Sequence, residues 1–178
     1  MIRISAVCGL ALALLGTSVA LAAQPTPVPN AAPDFSSMSF QIGTWNCRQT
    51  IVGRPGTRME TDTYSMAYDG WQMQNHSVSP PFDKNRTRDE VGDDWTTWDP
   101  TIKLWINQVV DNFGSYGLST SPGWVDNTMT WSQTNPDGTK GTNVVTKVSD
   151  TRYTYKTMGN NKMGDPQAAT GSGVCTKS

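Results

Sequence analysis

Thr61-Asp-Thr-Tyr-Ser-Met-Ala-Tyr-Asp-Gly-Trp-Gln-Met-Gln-Asn-His-Ser-Val-Ser79 is the stretch whose reading decides the fold class. Its first half alternates: Tyr64, Met66 and Tyr68 share one face, while Thr61, Thr63, Ser65 and Ala67 share the other. A period of two is the signature of a strand with unlike faces. Asp69-Gly70 then supplies the residues that tolerate positive φ in a two-residue hairpin turn, and Trp71–Ser79 reads as the returning strand.

The same grammar continues in both directions. Strands are expected near 40–52, 57–68, 71–79, 95–98, 104–111, 116–120, 128–134, 142–148, 152–158 and 173–176, rich in Thr, Val, Trp and Tyr and separated by Gly or Pro punctuation. Asn135-Pro-Asp-Gly138 fits a type I turn, with Pro supplying the fixed φ. Helix signals are nearly absent, apart from a short helical turn over Asp34–Ser39 with Asp34 as its cap. Pro80–Asp94 and Gly159–Gly171 read as irregular. The expectation is an all-β, antiparallel up-and-down barrel of about 8–10 strands behind a short helical turn. In Thr128–Thr134 one face again shows Met129 and Trp131 against threonines, and such Thr-rich faces suit either solvent or a polar lumen.

The N-terminus carries Arg3, an apolar run from Ile4 to Leu15, and small residues at Ala20-Leu-Ala22. That order reads as a secretory signal with cleavage expected after Ala22, although Ile4–Ala23 as a whole could nearly span a bilayer as an uncleaved anchor. The expected division is a signal peptide over 1–22, a Pro- and Ala-rich lead-in over 23–39, and the barrel over 40–178. Cys8 sits inside the apolar run, not behind it, so lipidation is not expected. Cys47 and Cys175 remain, and an even pair in an exported chain reads as a disulfide. The expected destination is the periplasm or the medium, with no integral membrane segment after cleavage.

The chain has 14 Lys and Arg against 15 Asp and Glu, which gives no electrostatic footprint for nucleic acid. His76 is the only histidine. Triads need a histidine and zinc centres usually need more than one, so no metal, cofactor or catalytic set is read here. Asp89, Glu90, Asp93 and Asp94 lack the spacing of a calcium loop and read as a solvated cluster.

Gly43-Thr-Trp45, preceded by Phe40 and Ile42, resembles the Gly-x-Trp opening of lipocalins and related calycin barrels. With Ile42-Gly-Thr-Trp-Asn-Cys47, Tyr68-Asp-Gly-Trp71, Trp98-Asp-Pro100, Lys103-Leu-Trp105, Ser121-Pro-Gly-Trp124, Val148-Ser-Asp-Thr-Arg152 and Cys175, the chain from about Phe40 to Cys175 resembles a bacterial family of exported lipocalin-like domains. The resemblance implies that the glycine permits close backbone approach and that the tryptophan plugs the barrel base against the last strands. In such a barrel the first and last strands are neighbours, which would let Cys47 and Cys175 staple the seam.

Three functional readings follow. The first is a lumen that takes a small, partly apolar or aromatic molecule, with Tyr64, Met66, Met73, His76, Trp105, Trp131 and Tyr155 as ligand-binding candidates. Only about half of these are expected to face inward. The second is a hydrolase or isomerase using His76 with Asp62 or Asp111. The third is a solidly packed interaction protein.

Overall fold

The computed structural model describes residues 31–81, 87–135, 138–160 and 166–178. The stretch read as a signal peptide and the first part of the expected lead-in, up to residue 30, lie outside the described residues. Among the described residues eleven strands run in chain order: β1 (Gly43–Ile51), β2 (Arg58–Ala67), β3 (Gln72–Ser79), β4 (Glu90–Asp99), β5 (Leu104–Asp111), β6 (Tyr116–Ser121), β7 (Trp124–Val125), β8 (Thr128–Thr134), β9 (Lys140–Ser149), β10 (Arg152–Asn160) and β11 (Pro166–Lys177). Every pairing is antiparallel. β6 pairs with β8, so ten strands close into a barrel and the short β7 stays outside the ring. Closure leaves no long sheet edge to be covered. No helix among the described residues is long and apolar enough to cross a membrane.

The seam is the pairing of β1 with β11, where Cys47 lies directly opposite Cys175. The two sulfurs are bonded, across a sequence separation of 128. Both cysteines are completely buried.

A 3-10 helix over Ser36–Gln41 packs across one end of the barrel and closes it. Asp34 accepts a hydrogen bond from the Ser36 backbone N–H, but it stands one residue ahead of the cap position, which Phe35 holds. Phe35 and Met38, in the stretch read as lead-in, are buried with Met73, Trp105 and Met129. Gly43 makes the turn into β1 at φ 116°, a backbone conformation that side chains resist, and Lys177 packs where a Cβ would stand. Trp45 is fully buried against Tyr153, and its indole N–H donates to the Gln41 carbonyl at 2.6 Å. Lys177 Nζ donates to the Phe40 carbonyl and lies over the Trp45 ring. Gly43, Trp45 and the last two strands therefore bind the plug to the seam.

Three local expectations change. Asp69-Gly70 does not form a two-residue turn: Met66 pairs with Met73 and Ala67 with Gln72, leaving Tyr68–Trp71 as a four-residue connection. Tyr68, Asp69 and Gly70 all have positive φ, so the chain reverses over three residues. β4 starts at Glu90, inside the stretch read as a loop, because its inward positions are polar and lack the apolar alternation that marks a strand. β11 likewise extends back to Pro166 through a segment read as irregular, although 161–165 lie outside the described residues. The Asn135–Gly138 turn is closed by a bond from Gly138 N–H to the Asn135 carbonyl.

Candidate functional site

Alternation in a closed barrel sends every second residue inward. Glu60, Asp62 and Tyr64 from β2 line a central cavity with Asn75 and Ser77 from β3, Gly92, Asp94 and Thr96 from β4, and Tyr153 and Tyr155 from β10. The cavity holds about 560 Å³, inside the range of small-molecule sites. The Thr-rich faces left open by sequence point the other way: Thr61, Thr63 and Ser65 are exposed.

The lumen is graded along its axis. Its floor carries the apolar side chains Met38, Met73 and Met129, with Trp124 and Trp131 on the wall and the uncharged polar Thr96, Asn107 and Ser119 beside them. Methionine and tryptophan there give a soft surface that adapts to ligand shape. The opposite end carries an ion-pair network. Arg58 bridges Glu60 at 3.1 Å and Glu90 at 3.0 Å, and its guanidinium also donates to Ser79 Oγ. Ser79 in turn donates to Glu60 Oε2 at 2.8 Å, and Gln49 donates to Glu60 Oε1.

Between floor and mouth lies a shelf of carboxyls. Asn75 Nδ2 donates to Asp94 Oδ2 at 3.2 Å and, more weakly, to Asp62 Oδ1 at 3.5 Å. Tyr153 OH donates to Asp62 Oδ2 at 3.5 Å. The same oxygen lies 3.1 Å from Cys47 Sγ, a disulfide sulfur with no hydrogen to give. Asp62 is 4% exposed, and no cation among the described residues acts on it. Burial, aided by the charge of Glu60, pushes its pKa up to about 8. Burial likewise lifts Asp94 to about 6, against the opposing hydrogen bond from Asn75. Burial also drives Tyr64, Tyr153 and Tyr155 well above the ordinary phenol value, so all three stay protonated donors.

Several polar atoms on this wall have no partner. Asn75 Oδ1, Asn143 Oδ1, Trp124 Nε1 and Tyr155 OH are buried and make no hydrogen bond, though Gln49 stands close to Tyr155. All four residues line the cavity. A buried polar atom without a partner costs about 1–3 kcal/mol, so several in one cavity mark places for donors and acceptors from outside the chain.

Of the residues singled out from sequence, Tyr64, Met73, Trp131 and Tyr155 line the lumen together. Trp105 is buried in the layer beneath, in a tilted contact with Phe35 and edge-on to Trp98. Met66 shares the inward parity of Tyr64 but sits at the strand end and is 41% exposed. His76 is on the outer face, because it alternates with the inward Asn75 and Ser77. Its Nδ1 lies 3.0 Å from Asp93 Oδ1, both half-exposed. The carboxylate beside it is therefore Asp93, not Asp62 or Asp111, which face the lumen. The residues that sequence reading missed are Asn75, Asp94, Tyr153, Asn143 and Met38. Asp94 was hidden by the loop assignment, and Met38 by its place ahead of the first strand.

The only group of three metal-type donors among the described residues is Cys47, Asp62 and Cys175. Its two sulfurs are consumed in the disulfide, which leaves a single carboxyl and no metal centre.

Strand order and lumen together define a closed, ten-stranded antiparallel barrel with an internal cavity. No protein-family model matches the chain, and no curated protein matches it. Among solved structures it is similar to a redesigned β-barrel, mFAP1, bound to DFHBI, at 16% identity and a TM-score of 0.35, over 79% of this chain and 98% of that one. It is also similar to EF1p2_mFAP2b bound to DFHBI, at 16% identity and a TM-score of 0.33, over 80% and 97%. Likeness at that level carries no argument about the lumen.

Proposed function

We propose that this is an exported lipocalin-like barrel that binds a small, partly apolar molecule in its lumen. One observation carries the reading: a cavity of about 560 Å³ with an apolar floor and four buried, unpartnered polar atoms on its lining residues. A barrel built only as an interaction scaffold has no use for such a space, since packed cores close their voids and pair their polar groups. Tyr64, Met73, Trp131 and Tyr155 would make the contacts. The division into a signal over 1–22, a lead-in over 23–39 and a barrel over 40–178 belongs to the same proposal. The internal disulfide supports an oxidising destination. The hydrolase or isomerase reading gains nothing from the His76–Asp93 pair, which lies outside the barrel away from the cavity.

Native mass spectrometry of the mature protein purified from its own host tests this reading. A reproducible added mass that is released on unfolding is expected. If preparations carry no added mass, and no small amphiphile changes the emission of Trp124 and Trp131 on titration, lumen binding is wrong.

A further inference from the structure

The shelf halfway down the lumen points to a ligand class. Asp62, Asn75 and Asp94 stand on three adjacent strands and face the cavity. Asn75 spends its amide N–H on the two carboxyls, which turns its Oδ1 away from both. That oxygen is unpartnered, on a side chain only 5% exposed. Once Asp62 gives up the proton that burial keeps on it, two carboxylates and an amide oxygen are all acceptors, and a donor carrying positive charge is what they then lack. The cation of the lumen, Arg58, is engaged at the mouth by Glu60, Glu90 and Ser79.

A metal ion does not suit the place. Asp62 and Asp94 form no cluster of three metal-type donors with another acid, and a cavity this size is far larger than an ion needs. Below the shelf Met38, Met73 and Met129 form an apolar patch, beside the uncharged polar groups of Thr96, Asn107 and Ser119. Met73 is two residues from Asn75 on β3, so the floor lies roughly 7 Å deeper at the usual strand rise. That depth matches a short aryl or alkyl tail.

We propose that the Asp62–Asn75–Asp94 shelf binds the ammonium group of a small amphiphilic amine, with its apolar tail on the Met38, Met73 and Met129 floor beside Trp124 and Trp131. This inference rests on the lumen-binding reading above. The ammonium donates to Asp94, Asp62 and Asn75 Oδ1, and a charged donor supplies what the empty site replaces with a retained proton. The titratable and charged groups around the shelf are Glu60, Arg58 and Tyr64 from β2, Asp93, Asp94 and Glu90 from β4, and Tyr153 and Tyr155 from β10; burial and the charge of Glu60 act most to hold the carboxyl protons. From β3 the inward groups are uncharged, with His76 outside, and β1 and β11 present the uncharged disulfide.

The test is calorimetric titration of the whole mature protein with 2-phenylethylamine, 2-phenylethanol and 3-phenylpropionate, which share a ring and differ in the head group. The amine is expected to bind tightest at pH 8 and to release a proton, read from the dependence of heat on buffer. Its affinity should rise by up to roughly tenfold per pH unit between pH 6 and 8, as the displaced proton becomes easier to lose. Asp62→Asn and Asp94→Asn should each weaken the amine on the order of 10–100-fold, as charge-assisted hydrogen bonds require, while the alcohol changes little. Should a variant fail to fold, the comparison of the three probes on the unaltered protein still decides. If the alcohol or carboxylate binds as well as the amine, the ammonium site is wrong while the lumen stands. If none of the probes binds and no host ligand is found, both fall. Calcium or zinc ions that displace the amine at equal concentration would also overturn it.

Discussion

Asp62 makes the lumen sensitive to pH in a direction that ordinary carboxyls do not. Its folded-state pKa of about 8 stands above the ordinary value of 3.8, as does that of Asp94 at about 6. Between these values the folded chain holds protons that the unfolded chain has lost. Stability of the unliganded protein therefore falls as pH rises, from about 4 to 6 through both groups and on to about 8 through Asp62. The slope is at most about 1.4 kcal/mol per pH unit for each group. The melting temperature should drop across pH 5 to 8 in circular dichroism. Asp62→Asn should flatten that drop and melt higher than the parent at pH 8; a parent curve that climbs across the range would contradict the assignment. At Gly173 the reason is steric, not electrostatic. A Cβ there would lie 2.4 Å from the Tyr155 ring, its cross-strand neighbour, which covers the glycine. Gly173→Ala should cost about 1–3 kcal/mol as the ring is forced off the wall into the lumen. Denaturant unfolding measures it, and Tyr155→Ala in the same background should remove most of the added cost.

At the scale of elements, the seam between β1 and β11 is the joint on which closure depends. Its disulfide ties strands 128 residues apart in sequence, where chain-entropy reasoning gives up to about 5 kcal/mol. A Cys47→Ser, Cys175→Ser double variant should lose about 2–5 kcal/mol in urea unfolding. Because both sulfurs are fully buried, reductant alone should leave the native bond intact until the barrel opens. Alkylation after reduction in native buffer checks this. The 3-10 plug is the second joint. Met38 is buried at the floor and also lines the cavity. Met38→Ala should destabilise by about 2–5 kcal/mol and deepen the lumen. A phenylalkanol with a longer chain should then gain affinity relative to 2-phenylethanol.

For the whole molecule, ligand and fold are linked. A ligand bound only by the closed barrel at a hundred times its dissociation constant adds about 2.7 kcal/mol. Occupancy should therefore raise the melting temperature by an amount set by amine concentration over its dissociation constant. Thermal shift with 2-phenylethylamine at pH 8 measures the gain, and an unchanged melt at saturating amine would count against luminal binding.

Much of this architecture was legible in the residues. Alternation in Thr61–Ser79 and Thr128–Thr134, with Gly and Pro punctuation, determines antiparallel strands because side-chain direction follows a period of two. Gly43 and Trp45 mark the base, and two cysteines point to one bridge. Sequence did not fix which face of each strand turns inward, since threonine and aspartate serve a solvent face and a wet lumen alike. It misread β4 for the same reason: Glu90, Gly92, Asp94 and Thr96 look like loop until curvature turns them to a cavity. His76 looked chemical because it is unique, yet one residue of parity places it outside, and the acceptors that matter come from three strands whose neighbourhood only closure creates. Local chemistry writes the strands; the shared interior, with its unpaired atoms and displaced protons, exists only once the ring is closed.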